Sequence, residues 1–97
     1  VTGQVAQDGA ATVLVVDDDQ LNRRLLVSAL HKAGHRTVEA ADGEEALRVL
    51  LDVEPDVMLL DIVMPLLDGF GVLAAMKDMP TVSGTPVVMI SGLEDQD

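Results

Sequence analysis

Four aspartates stand where apolar runs stop. The segment "TVLVVD" ends in Asp17, with Asp18 and Asp19 directly after it, and "DVMLLD" ends in Asp61. Adjacent carboxylates repel one another, and crowding them at the end of an apolar segment costs free energy unless a cation neutralises them. A hard divalent ion does so. Mg²⁺ takes oxygen ligands, keeps several waters, and uses one or two direct carboxylates together with phosphate oxygens. A lone aspartate at a strand end is most often a helix cap or a solvated turn residue. Convergence of Asp17, Asp18 and Asp61 would instead make a Mg²⁺ site suited to phosphate chemistry, so the question is whether the fold brings them together.

The elements that must do so can be read along the chain. Residues 12–17 form a short Val-rich run, the pattern of a strand buried on both faces of a parallel sheet. From Gln20 to Ala33 apolar residues recur at helical spacing. Leu21, Leu25, Ala29 and Ala33 share one stripe, with Leu26 and Leu30 beside it. Asp19 is placed to cap this helix, and Gly34 to stop it. "HRTVEAA" reads as a second strand. "DGEEALRVLLD" opens with Asp42 and has Glu45 three residues on, a capping-box arrangement, and its apolar face is expected from Ala46, Leu47, Leu50 and Leu51. Pro55 follows as a stop. Residues 56–61 are the third strand and "IVMPLLDG" a loop. "FGVLAAMKDM" is a helix weakened by Gly71, and "PVVMIS" is a fourth strand ending at Ser91. Residues 1–11 are small and polar without a period, and are expected to be a flexible leader.

Strand and helix alternate throughout, which argues for right-handed βαβ units and an open parallel sheet covered by helices. In such a sheet ligands bind beyond the carboxyl ends of the strands, where Asp17, Asp18, Asp61 and Ser91 all fall. With 97 residues the chain holds one domain. Hydrophobic residues make up 48%, enough for a core, and Phe70 is the single aromatic, so that core must be aliphatic. Met58, Met76 and Met89 are expected in it, with Met64 packing under the loop. A net charge of −11 argues against a nucleic-acid-binding face, which needs clustered Lys and Arg. Without cysteine, disulfides and thiolate-metal sites are excluded. The apolar runs fall far short of the roughly 18 residues that span a bilayer, and the start lacks the pattern of a signal peptide. The expected setting is therefore cytoplasmic. His31 and His35 flank the end of the first helix, where a cation is mildly favourable, and have no partner at ligand spacing.

"VLVVDDDQLNRRLL", "DVMLLDIVMPLLDGFGVL" and "TPVVMISG" together resemble the receiver domain of two-component response regulators, from about Thr12 to the C-terminus. The resemblance implies a flavodoxin-like doubly wound sheet of order 2-1-3-4. It also implies that Asp61 accepts a phosphoryl group from a histidine kinase or phosphotransfer protein, becoming an aspartyl phosphate. Asp17, Asp18 and Asp61 would hold Mg²⁺ with the backbone carbonyl of Val63, which leaves the Val63 side chain free. Ser91 would hydrogen-bond a phosphoryl oxygen and draw its loop inward. Pro65 and Gly69 would shape the turn, and Asp68 would cap the next helix.

The family's domain continues through a fifth strand bearing a lysine and a last helix. This chain ends at Asp97, before either, and has no lysine beyond Lys77. The expectation is a receiver domain over residues 12–97, incomplete at its C-terminus, within a longer protein whose effector domain follows. An uncovered apolar face and an open edge on the fourth strand go with that, leaving room for a homodimer or a swapped dimer. Two other readings are set beside this one: a receiver-like interaction domain that takes no phosphate, and a phosphohydrolase of the haloacid-dehalogenase type built on Asp17-x-Asp19. The second has Leu21 where such enzymes carry Thr or Val.

Overall fold

Three of the four strands form in runs of Val, Leu, Ile and Met, and the second, RTVEA, carries two charged residues. The computed structural model describes residues 10–90. Four strands, β1 (Thr12–Val16), β2 (Arg36–Ala40), β3 (Val57–Asp61) and β4 (Val87–Ile90), alternate with three helices, α1 (Gln20–Lys32), α2 (Gly43–Val53) and α3 (Gly69–Met76). The sheet is parallel throughout and ordered β2-β1-β3-β4, as expected. Val16 pairs with Ala40 on one side and with Leu60 on the other, so β1 is central. The proposed leader lies almost wholly outside the described residues, and so does Ser91 with the rest of the tail.

Strand alternation divides the sheet into two faces. Leu14, Val16, Met58 and Leu60 point to the side of α2 and α3, where they join Ala46, Leu50, Val72, Met76 and Val82 in one core. Leu14, Leu50, Met58 and Leu60 are fully buried. Each such burial contributes about 1.5–3 kcal/mol relative to an exposed side chain. Met58, Met76 and Met64 are buried and Met89 packs on the core, the gap-filling role expected in a chain with one aromatic. Among the described residues no helix is long and apolar enough to cross a membrane.

Helix ends follow the caps read from the sequence. Asp19 Oδ1 accepts from the Asn22 amide (3.1 Å), Asp42 Oδ1 from that of Glu45 (2.8 Å), and Asp68 Oδ1 from that of Gly71 (2.9 Å). Glu45 reaches back to the Ala41 amide (2.7 Å), one residue before the cap. Gly34 follows α1 at φ +92°, where a side chain would be strained.

The inward face of α1 differs from expectation. Leu21, Leu25, Ala29 and Ala33 are exposed, and it is Asn22, Arg23, Leu26, Val27 and Leu30 that are partly buried. The helix packs on β1 and β2, whose α1-side positions include the polar Thr37 and Glu39. Thr37 takes His31 (2.8 Å) and Glu39 takes Arg23 (2.9 Å), so the face turned inward carries polar partners for polar residues. Leu51, expected in the apolar face of α2, is likewise more than half exposed. Leu21, Leu25 and, on β4, Val88 are among the exposed apolar side chains, and β4 has no outer neighbour among the described residues.

Gly69 seats α3 against the end of β3. A Cβ there would lie 2.7 Å from the Asp61 carbonyl oxygen and 2.9 Å from Ile62 Cα. Both are backbone atoms, so no side chain can swing away to make room. Gly69→Ala is expected to lower stability by about 1–3 kcal/mol, the usual cost of overpacking. A urea midpoint equal to that of the parent would show instead that α3 can draw back from β3 freely.

Candidate functional site

The register of β1 against β3 sets Val16 beside Leu60, so the next residue of each strand, Asp17 and Asp61, emerges at the same edge. Asp17, Asp18 and Asp61 each offer a carboxylate oxygen, and these atoms lie within 4.8 Å of one another. The convergence that the sequence could only suggest is therefore present. Asp61 is 2% exposed and Asp17 is 6% exposed, while Asp18 is open to solvent.

The two buried acids are held from different directions. The Asp17 amide donates to the Ala40 carbonyl of β2 (3.2 Å), and Asp17 Oδ1 accepts from the Asp19 amide (2.8 Å). Asp61 Oδ1 accepts from the Val63 amide (3.2 Å). That bond curls the β3–α3 loop back over the strand end, with Met64 buried beneath it and Val63 half exposed. The Ile62 amide donates to the Ile90 carbonyl (3.0 Å), and the Gly69 amide to the Ile62 carbonyl (3.0 Å), so the backbone after Asp61 is tied to β4 and α3.

Asp19 belongs to the helix cap and is not one of the clustered acids. His31 and His35 are engaged away from the site, with Thr37 and with the Ala11 amide (3.0 Å). Two features escaped the sequence. Leu66 sits in the loop at φ +67° and is almost wholly exposed, a conformation with no local signal in "MPLLDG". Arg23 donates from Nη1 to the Asp17 carbonyl (2.7 Å) and from Nε to Glu39 Oε1 (2.9 Å). Its position one turn after the Asp19 cap is the signal the sequence carries for it.

The donor set is all oxygen and all anionic, the kind of set a hard divalent cation prefers to any soft metal. For a cation the buried pair would offer two oxygens from fixed positions, and the exposed third leaves the outer side open to solvent.

A doubly wound parallel sheet with an acidic trio at its carboxyl edge defines a receiver-type α/β module. The family model described as the response regulator receiver domain matches residues 13–97. The chain belongs to that family, and with it to two-component signalling, as a signalling module and not a classical enzyme. It is 42% identical over 83 residues to a probable transcriptional regulator, ycf27, of Guillardia theta, covering 86% of this chain and 32% of that protein. It is 42% identical over 85 residues to the response regulator PleD of Caulobacter vibrioides, covering 88% of this chain and 19% of PleD. The chain thus spans a third or less of these two relatives. Among solved structures it resembles the N-terminal domain of a response regulator receiver protein from Methanoculleus marisnigri JR1. The TM-score is 0.79 and the identity 39%, over 81% of this chain and 64% of that one.

Without a cation the three carboxylates oppose folding. Asp18→Asn is expected to raise stability in the presence of a chelator by a few tenths to about 1 kcal/mol, the range for partly screened charges. The readout is the urea midpoint in EDTA. An unchanged or lower midpoint would show that the cluster is not under like-charge strain.

Proposed function

We propose that this chain is the phospho-accepting receiver of a cytoplasmic two-component system, with Asp61 as the acceptor. The observation that carries the reading is the meeting of Asp17, Asp18 and Asp61 at one edge of the sheet. A histidine kinase or phosphotransfer protein is the donor. One Asp61 carboxylate oxygen forms a bond to phosphorus as the donor's imidazole–phosphorus bond breaks. An ionised carboxylate needs no general base for this. The difficulty is bringing one anion to another, and positioning with charge neutralisation meets it.

Asp17, Asp18 and Asp61 are the side chains that would hold Mg²⁺, joined by the Val63 carbonyl. When bound, Mg²⁺ supplies the positive charge that lets phosphoryl oxygens approach the acidic edge. The Val63 amide holds Asp61 Oδ1 in place and so orients the carboxylate that would attack phosphorus. Ser91, outside the described residues, is assigned the contact to a phosphoryl oxygen after transfer. The added charge, about −1.5 to −2, would bias the loops at this edge between two arrangements and so switch an effector domain in the parent protein.

Incubation with Mg²⁺ and a small phosphodonor is expected to give one phosphoryl adduct by intact mass, absent in Asp61→Asn. An adduct that persists in Asp61→Asn, or none in the parent with Mg²⁺ bound, would sink the assignment. Mg²⁺ at 100 times its dissociation constant should stabilise the fold by about 2.7 kcal/mol. In Asp18→Ala that gain should fall sharply at the same concentration, by thermal melting.

A further inference from the structure

We propose that Arg23 is a positioning residue for the acidic site: it fixes the Asp17–Asp18 peptide and so sets the spacing of the carboxylates that take the cation. The inference rests on the reading of Asp17, Asp18 and Asp61 as a Mg²⁺ site.

The Asp17 residue is tied to the protein through both its amide and its carbonyl. The amide is bonded to the Ala40 carbonyl of β2, and the carbonyl accepts from Arg23 Nη1 at 2.7 Å. That carbonyl belongs to the peptide joining Asp17 to Asp18. Holding it therefore orients the backbone from which the exposed Asp18 carboxylate projects. Arg23 is itself held, because Nε donates to Glu39 Oε1 at 2.9 Å and its side chain is only 14% exposed against 44% for Glu39. Glu39 precedes Ala40 on β2, so both tethers of Asp17 lead back to the same strand. The planar guanidinium spans the gap with two bonds in a fixed fork, which an ammonium cannot reproduce.

Position and charge predict opposite signs. If Arg23 acts only as a nearby cation, removing it deepens the negative potential and tightens Mg²⁺. If it positions the loop, removing it frees Asp18 and weakens Mg²⁺. Arg23→Lys separates the two further, since it keeps the charge and loses the fork.

Mg²⁺ affinity is measured by calorimetry on the 97-residue chain and on its variants, well below their melting temperatures in EDTA. Arg23→Lys and Arg23→Ala are each expected to bind Mg²⁺ about tenfold more weakly, the lower end of the cost of removing a group that orients metal ligands. Glu39→Gln, which keeps the acceptor oxygen, is expected to stay within about twofold of the parent, and Glu39→Ala to fall between. With a small phosphodonor, half-saturating Mg²⁺ should rise by the same factor while the rate at saturating Mg²⁺ stays near that of the parent. A merely structural role would lower the melting temperature in EDTA and leave the Mg²⁺ dependence unmoved. Parent-like affinity in Arg23→Lys, or tighter binding in Arg23→Ala, overturns the proposal and leaves the acidic-site reading intact. If Arg23 variants do not fold, parent-like affinity in the more exposed Glu39→Ala overturns it instead. Absence of Mg²⁺ binding in the parent overturns both.

Discussion

The parallel pairing of β1 with β3, in the register that sets Val16 beside Leu60, is the interaction on which the rest of the molecule depends. It buries Leu14 and Val16 with Met58 and Leu60 in one core, and at its carboxyl end it delivers Asp17 and Asp61 to the same place. The two outcomes are coupled. A slip of one residue would turn every apolar side chain of one strand to the opposite face. Val13 and Val15 are as buried as Leu14 and Val16, so the apolar pattern alone does not set this register; the fit of side chains of different size on the two faces does. Hydrophobic burial of several kcal/mol across four wholly buried residues outweighs repulsion that is partly screened at the solvent edge.

The strands and the helix caps were legible because each rests on a local signal, whereas the strand order came from the resemblance to receiver domains. Short apolar runs ending at Asp17 and Asp61 mark β1 and β3, and Asp19, Asp42 and Asp68 announce helices by residue type and offset. The inward face of α1 was not legible for an equally physical reason. Leu21, Leu25, Leu26, Val27, Ala29 and Leu30 cover most of the helix circumference, so periodicity selects no single stripe. The face that packs on the sheet carries Leu26, Val27 and Leu30 together with Arg23, which bonds to Glu39 of β2, while His31 bonds to Thr37 at its edge. A polar residue that buries its stem and finds two acceptors behaves as an inward residue despite its charge. Periodicity cannot anticipate this without the partner strand. Leu51 on α2 went the same way: it sits one position past the buried Leu50 on a helix whose apolar arc is narrower than its leucines suggest.

The site itself was legible as residue types and strand ends, and its anchoring was not. Asp17, Asp18 and Asp61 could be placed at one edge from topology alone. The bonds from Ala40, Arg23 and Val63 that hold them depend on loop geometry. The sharp return of the β3–α3 loop, with Leu66 in a left-handed conformation and Gly69 pressed on the Asp61 carbonyl, has Pro65 and Gly69 as its sequence markers and none for Leu66. A left-handed leucine costs about 1–3 kcal/mol, and the burial of Met64 beneath the same loop is of a size to offset it.

The three carboxylates divide by burial, and that division bears on which ion the site suits. Asp61 and Asp17 sit on the sheet edge with little freedom, whereas Asp18 stands in solvent on the turn into α1. A fully enclosing oxygen cage of the kind Ca²⁺ favours would need six to eight ligands. The three carboxylate oxygens and one loop carbonyl of the proposed set supply about half of that, and their open side faces water. Mg²⁺ dehydrates reluctantly and keeps water on its free positions, so an incomplete protein shell matches it and leaves room for phosphoryl oxygens. On this reading the exposure of Asp18 follows from the task, since burying it would close the side from which a phosphoryl group must enter.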